Sequence, residues 1–316
     1  METILIATDF TEAAVNATRY GFEIAKTMKA KVILFTSFNH FTTYSTLAAY
    51  ATIDEIEQIS NQKLLETALV FNALKTVEVE TQCRQGNVTD SIIKVAAENN
   101  ATFIVVGRKE DKEIRKFFGS TVTSLIHLST IPLIVVPEKA VTTLPKKIVL
   151  GSDLYNETSI DIVKPLKRIV EMFNARLSIV QVVDKYFNEP VEVLMRCSKP
   201  DWFLKEVNPD YEFLQDNNAG KSINDFVDEN SIDMLAIIAH HHTMFERIFN
   251  NSTTKYFSFH THVPLLILPS VVVNKTKTDK EAFYYCSGKC LSDNNSIPQC
   301  DKYHRMKSEY EQEVSK

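Results

Sequence analysis

The amino-acid sequence predicts an α/β fold made of two tandem domains, each with an open, parallel sheet. Short, fully apolar runs alternate with amphipathic helical segments along the chain, which is typical of strands covered by helices on both faces. The pattern then restarts: Ile148–Leu154 repeats Ile4–Phe10, and residues 260–269 repeat residues 128–137. The predicted units are domain 1 (1–140), domain 2 (146–270) and a polar tail (271–316).

The elements of the first copy follow from periodicity. Thr11 precedes apolar residues at helical spacing and predicts an N-cap, whereas most of Phe38–Thr52 is interpreted as loop. The predicted strands are Thr3–Thr8, Lys31–Phe35, Val77–Cys83, Phe103–Val106 and Leu133–Val136, and the predicted helices follow Thr11, span about 54–72 and 89–99, and open at Gly119. Strands and helices in alternation favour right-handed crossovers between parallel strands.

The second copy repeats this order in a shorter form. The offset between the copies is about 144 residues at the start and about 132 at Pro264, so the shortening lies mainly in the middle of the second copy. We expect the two copies to pack as an internal pseudo-dimer, the covalent version of a two-fold interface.

Composition limits the classes of function. The chain of 316 residues has 44% apolar and 24% charged residues, which is ordinary for a globular protein. A net charge of −5 argues against general binding to nucleic acid or to an anionic membrane. No apolar run reaches the length of a membrane span, and the first residues lack the features of a signal peptide, so a cytoplasmic location is the expectation.

The stretch Phe103–Pro137 reads as strand, charged loop, helix and strand. Gly107 lies at the exit of the first strand, and Gly119 and Ser120 lie where the helix opens. Glycines allow a close approach to the backbone, and the free N–H groups of a helix N-terminus bind anions. A phosphate site is therefore predicted at this edge of the sheet, where open α/β sheets bind ligands.

This stretch resembles the C-terminal half of a universal stress protein domain, and the resemblance covers about residues 1–269. ATP-binding members of that family carry a glycine, two residues, a glycine, nine residues, then glycine and Ser or Thr. Gly107 and Gly119-Ser120 match the first and last parts. Glu110 stands in place of the second glycine, and the gap to Gly119 is one residue short.

The resemblance implies a Rossmann-like fold of the adenine nucleotide alpha hydrolase type and a stress-response module, non-catalytic, that binds ATP or AMP in domain 1. Asp9 would lie beside the adenine and ribose. The backbone after Gly107 and the amides and hydroxyls of Ser120 and Thr121 would hold phosphates. Arg108 and the other cations of the loop would add positive charge, whereas the Glu110 carboxylate would oppose a polyanion.

The second copy departs further from the motif. Asp153 is retained, but the Gly107 position is assigned to Ala239 and the Gly119 position to Asn251, with Ser252 and Thr253 still present. We expect this degenerate copy to be structural. The neighbouring His240–His242 are interpreted as a polar loop.

The tail carries Cys286, Cys290, Cys300 and His304, a complete tetrahedral ligand set for structural zinc. A polar segment without a core of its own has reason to use a metal. A disordered tail with reducible cysteines, a copper site, and a redox-sensing Cys286–Cys290 dithiol stay open as alternatives.

Three functions follow from these observations. The first is a nucleotide-sensing universal stress protein; the second is a nucleotide-free interaction protein of the same fold; the third is a metal- or redox-responsive protein acting through its tail. A weak ATPase ranks last, because the sequence has no P-loop and no nucleophile elbow. The expected partners are the other domain, a second copy in a homodimer, and an unidentified protein.

Overall fold

A computed structural model describes residues 1–38, 52–109, 120–151, 159–183, 203–216, 218–239 and 261–269. Within these ranges ten strands form one sheet in the order β3-β2-β1-β4-β5-β10-β9-β6-β7-β8. The strands are β1 Thr3–Ala7, β2 Lys31–Phe38, β3 Val79–Gln85, β4 Phe103–Arg108, β5 Leu133–Pro137, β6 Lys147–Gly151, β7 Arg176–Val183, β8 Asp210–Gln215, β9 Met234–Ala239 and β10 Leu265–Pro269.

Six α-helices cover the two faces of the sheet in the described part of the chain. They are α1 Glu12–Met28, α2 Ile53–Phe71, α3 Val88–Glu98, α4 Ser120–Leu128, α5 Lys164–Phe173 and α6 Ala219–Glu229. The expected α/β class with mainly parallel strands is confirmed. The tail and the loop after β2 lie outside the described residues, and the domain boundaries stay a prediction.

The helix starts show why these segments fold as they do. Thr11 is the N-cap of α1, as predicted, and its hydroxyl accepts a hydrogen bond from the N–H of Ala14. Thr52 and Glu55 form a capping box at the start of α2. Asn87 caps α3 through a hydrogen bond from the N–H of Asp90. Each cap supplies an acceptor to a backbone N–H that the helix itself leaves unpaired.

We refer to β1–β5 with their helices as the first half and to β6–β10 with theirs as the second half. Both halves have the same strand order, and the strands within each half pair in parallel. The halves join where β5 pairs antiparallel with β10. Ile134 lies opposite Leu266 at this junction, flanked by the pairs Leu133–Ile267 and Val135–Leu265.

This register places a local two-fold axis at the junction. Ile134 and Leu266 occupy the same place in the repeated segments 128–137 and 260–269. Two equivalent residues face each other only where the symmetry axis passes between them. The axis is perpendicular to the sheet, so equivalent helices lie on the same face.

Two apolar cores lie on the two faces of the sheet, and each one contains residues from both halves. One core packs under α1, α2 and α5 and includes Ile4, Ile134 and Leu266. The other packs under α3, α4 and α6 and includes Leu5, Val135 and Leu265. Because successive residues of β5 and β10 point to opposite faces, the junction belongs to both cores.

The halves differ in the helix that follows their first strand. The helix α1 has 17 residues, whereas α5 has 10. Both helices end just before the second strand of their half, so the difference lies at the start. In the second half a 3-10 turn at Ile160–Ile162 precedes α5.

Candidate functional site

A cleft of about 380 Å³ opens at the carboxyl ends of β1, β2 and β4. The chain leaves β1 toward α1 on one face and reaches β4 from α3 on the other, so the cleft lies where the direction of the crossovers changes. Such switch points are the usual ligand sites of open α/β sheets. The lining comes from the turn Ala7–Thr11, the start of α1, the end of β2, α3, the end of β4 and the first turn of α4.

Asp9 lies in this lining, where the sequence placed it. Its side chain is exposed, and Oδ1 accepts hydrogen bonds from the N–H of Thr11 at 3.1 Å and from the Thr11 hydroxyl at 2.6 Å. The next residue, Phe10, has a φ of 64°, a left-handed conformation that is costly for an aromatic residue. The N–H of Phe10 donates to Oγ1 of Thr8. Asp9 therefore helps to hold a strained turn between β1 and α1.

Gly107 also lines the cleft, and its lack of a side chain serves the packing of α1. A Cβ on Gly107 would lie 2.4 Å from the carbonyl oxygen of Ala13 and 2.7 Å from the nitrogen of Ala14. Both atoms belong to the backbone of α1, so neither can move away without displacing the helix. The sequence predicted that this glycine lets a phosphate approach, whereas the structure shows that it lets the first turn of α1 rest on β4.

Arg108 lines the cleft, but its guanidinium bonds across the junction to the second half. Only 7% of the residue is exposed, and its guanidinium donates a hydrogen bond of 2.7 Å to the carbonyl oxygen of Thr261 in the second half. Lys109, the next residue, is exposed and lines the cleft. Lys109 is therefore better placed than Arg108 to supply positive charge to a ligand.

The first turn of α4 closes one side of the cleft. Ser120 begins the helix, and Thr121 and Val122 line the cavity. The predicted helix start is thus close to the observed one, and it brings backbone N–H groups to the same edge as Asp9 and Gly107. Gly119 and Glu110 lie outside the described residues.

The end of β2 contributes lining residues that the sequence pattern did not predict. This strand was expected to end at Phe35 but continues to Phe38, and it pairs with β3 from Val32 to Phe38. Thr36 and Ser37 line the cleft, and the buried hydroxyl of Ser37 has no hydrogen-bond partner among the described residues. Carboxyl ends of parallel strands share one edge of the sheet, so this strand end was a detectable candidate.

The apolar part of the lining comes from α3 and the strands. Val88 and Ile92 of α3 face Phe35 of β2 and Val106 of β4 across the cavity. These side chains belong largely to the core between the sheet and α3, so the cleft has an apolar floor and a polar rim. This division suits a ligand with one flat apolar part and one charged part.

One predicted correspondence between the halves is wrong. Strand pairing aligns Gly107 with Ile238 and Arg108 with Ala239, because Val136 and Leu268 are their partners in equivalent strands. The assignment of the Gly107 position to Ala239 was therefore off by one residue. Asp153, Asn251, Ser252, Thr253 and His240–His242 lie outside the described residues.

The proposed zinc ligands Cys286, Cys290, Cys300 and His304 also lie outside the described ranges. Within those ranges no group of three or more His, Cys, Asp or Glu side chains is arranged to hold a metal ion. The zinc site thus stays a prediction. None of the helices in the described segments is long and apolar enough to cross a membrane.

Comparison with known proteins agrees with this fold. A universal stress protein from Archaeoglobus fulgidus covers 84% of this chain and 98% of its own length, with a TM-score of 0.67 and 18% identity. A functionally unknown protein from Pseudomonas aeruginosa covers 93% of this chain and 98% of its own, with a TM-score of 0.54 and 12% identity. At these identities the likeness shows the fold alone. No curated protein sequence matches the chain.

The family comparison covers the half that holds the cleft. The profile of the Universal stress protein family matches residues 1–137, which run from the start of the chain to the last residue of β5. Residues 1–137 therefore belong to the universal stress protein family.

Proposed function

We propose that the first half binds an adenine nucleotide, ATP or AMP, in the cleft at the ends of β1, β2 and β4. The single observation that carries this proposal is the meeting of that cleft with the N-terminal turn of α4. A helix N-terminus offers unpaired N–H groups and a partial positive charge to a phosphate. The family resemblance of the first half supports the same ligand class.

The described residues fit the two parts of such a ligand. A cavity of about 380 Å³ lies within the range of roughly 300–1,000 Å³ that is usual for small-molecule sites. Ile92, Val106 and Val122 offer an apolar surface for a base. Lys109 and the first turn of α4 offer positive charge and N–H groups to phosphates, and the unpaired Ser37 hydroxyl needs a hydrogen-bond partner that a ribose or phosphate oxygen would supply.

We further propose that binding is the function and that the protein is not an enzyme. Among the described lining residues no cysteine or histidine is present, and the Asp9 carboxylate is engaged by Thr11. Catalysis of hydrolysis requires a base held against an attacking water. The proposal includes the second half as a degenerate copy that completes the sheet, and a cytoplasmic location that cell fractionation would check.

The test is a calorimetric titration of the full chain with Mg-ATP and with AMP, followed by the variant Thr121→Asp. A carboxylate in the first turn of α4 is compatible with the helix, because negative charge near a helix N-terminus is favourable. The same carboxylate repels a phosphate at the cleft. We expect binding by the wild type and a loss of affinity of roughly tenfold or more in Thr121→Asp.

Thr130→Asp is the matched control. Thr130 is exposed and follows the other end of α4, so the variant adds the same charge outside the cleft. Its affinity should equal that of the wild type. An unchanged affinity in Thr121→Asp would move the ligand elsewhere, and a wild type that binds neither nucleotide would overturn the proposed function.

A further inference from the structure

A buried arginine connects the rim of the cleft to the second half. Gly107, Arg108 and Lys109 line the cleft, yet the guanidinium of Arg108 reaches the carbonyl oxygen of Thr261, just before β10. Because β10 runs antiparallel to β5, its start lies at the same edge as the carboxyl ends of β4 and β5. The second half therefore contacts the cleft-bearing edge of the first half.

The backbone around Arg108 is held from several directions. Its carbonyl oxygen accepts a hydrogen bond from the N–H of Glu138 at 2.9 Å. Gly107 is in contact with the first turn of α1. The side chain of Asn16 in α1 donates to the carbonyl oxygens of Pro137 and Ala140, at 3.0 and 2.9 Å. A shift at Thr261 would consequently be transmitted to the rim of the cleft through close-packed groups.

The connection is one-sided. Ala239 occupies the position of Arg108 in the second half, and Ser129 occupies the position of Thr261 in the first. An alanine side chain cannot donate a hydrogen bond across the junction. The second half thus supports the edge that carries the cleft through a hydrogen bond that Ala239, at the equivalent position, cannot make in return.

We propose that Arg108 is a positioning residue through which the second half sets the ligand affinity of the first-half cleft. This inference rests on the proposed function. Arg108 holds the cleft-lining backbone of 107–109 in place by its bond to Thr261. Coupling between two sites is reciprocal, so a ligand in the cleft also strengthens the packing of 261–269 against the first half.

The experiment measures Mg-ATP affinity in the full chain for Arg108→Met and Arg108→Lys. Methionine keeps much of the length of the side chain and removes the donor. We expect Arg108→Met to bind roughly tenfold more weakly, as for a hydrogen bond to a charged group. Arg108→Lys keeps a charged donor but lacks the planar guanidinium. Its affinity for Mg-ATP should lie between those of Arg108→Met and the wild type.

Arg84→Met is the matched control. Arg84 lies on edge strand β3, outside the cleft lining, and forms an ion pair with Glu98 at the end of α3. The variant removes one positive charge and one salt bridge outside the cleft. The affinity of this variant for Mg-ATP should equal that of the wild type.

A second readout separates positioning from a loss of stability. Amide hydrogen exchange is measured at 261–269 with and without saturating Mg-ATP. In the wild type the ligand should slow exchange there, and Arg108→Lys should retain part of this effect. In Arg108→Met the ligand should still protect Thr8–Thr11 at the cleft while the protection of 261–269 is lost.

The outcomes distinguish this inference from the proposed function. Wild-type binding with equal affinity in Arg108→Met, or unchanged ligand protection at 261–269 in that variant, would overturn the inference and leave the proposed function standing. A wild type that binds no Mg-ATP would overturn both. If Arg108→Met does not fold, the test uses Arg108→Lys alone. Wild-type affinity for Mg-ATP in Arg108→Lys, together with wild-type ligand protection at 261–269, would contradict the role of the planar guanidinium.

Discussion

At the scale of single residues, Gly107 and Ile238 occupy equivalent positions in the two halves and have opposite consequences. Gly107 leaves room for the first turn of α1 against β4. Ile238 is buried in its own half, where the helix α5 starts later relative to the strands. The glycine therefore accompanies the longer helix α1, and the isoleucine accompanies the shorter helix α5.

Gly107→Ala should lower the free energy of unfolding by about 1–3 kcal/mol, the usual cost of overpacking. The added methyl group would meet the backbone of Ala13, which is fixed by the helix. Urea denaturation measures the change. Gly21→Ala is the control: its Cβ would lie 2.6 Å from the end of the Ile6 side chain, which can rotate away, and alanine favours the helix.

We therefore expect Gly21→Ala to be much less destabilising than Gly107→Ala. Equal costs for the two glycines would mean that the contact with Ala13 relaxes as easily as a side chain does. The close packing of α1 on β4 would then not explain why Gly107 is glycine.

At the scale of elements, β2 and β3 illustrate how an edge pair is held. The strand β3 has polar and charged residues on a half-exposed surface, so burial of apolar area contributes little to its pairing. Lys31 of β2 forms a salt bridge of 2.6 Å with Glu80 of β3. Both side chains are partly exposed, and such pairs contribute modestly to stability.

The hydrogen bond from Lys31 lowers the pKa of Glu80 below its ordinary value of 4.5. The ionised carboxylate thus stabilises the fold above that ordinary value, and the contribution is lost as the pH falls through the lowered pKa. As the pH falls, the free energy of unfolding should decrease less in Glu80→Gln than in the wild type. The difference between the two decreases should be less than about 1 kcal/mol. Urea denaturation from about pH 6 to about pH 3 measures this difference.

Glu78→Gln provides the comparison, since Glu78 lies 3.7 Å from Lys31 and is more exposed. Its effect on the acid limb should be smaller than that of Glu80→Gln. Parallel pH curves for the wild type and Glu80→Gln would show that the pair does not stabilise the edge of the sheet.

At the scale of the whole molecule, the junction between β5 and β10 unites the halves. Both apolar cores continue across it, and Ile134 and Leu266 meet at the local two-fold axis. Arg168 of α5 also pairs with Glu2 beside β1 at 2.7 Å. Contacts on this scale favour unfolding of the described sheet as one cooperative unit.

Ile134→Ala should lower the free energy of unfolding by about 2–5 kcal/mol, the usual cost of a large-to-small change in a core. Because Ile134 is fully buried at the junction, the loss should accelerate amide exchange in both halves together. Hydrogen exchange at β1 and β6 measures this. Ile53→Ala is the control: this isoleucine is 40% exposed, so its replacement should leave amide exchange unchanged. If Ile134→Ala accelerated exchange in β1 but not in β6, the halves would unfold independently.

The sequence by itself determined the α/β class, the order of the strands and helices of the first half, and the N-cap Thr11. These features depend on periodicity and on local hydrogen bonds, which neighbouring residues encode. The resemblance at Gly107 and Ser120 also indicated the family of the first half. Asp9 and Thr121 both line the cleft, since one lies in the turn that follows β1 and the other in the first turn of α4.

Only the tertiary structure decided which residues meet at the cleft and what each one contacts. The side-chain direction of Arg108 depends on Thr261, a residue far away in the chain, and no local pattern encodes that contact. The register that aligns Gly107 with Ile238 depends on hydrogen bonds between strands, so the alignment predicted from the sequence was off by one residue. Long-range pairing and packing fix these details, because they stabilise contacts that no single segment contains.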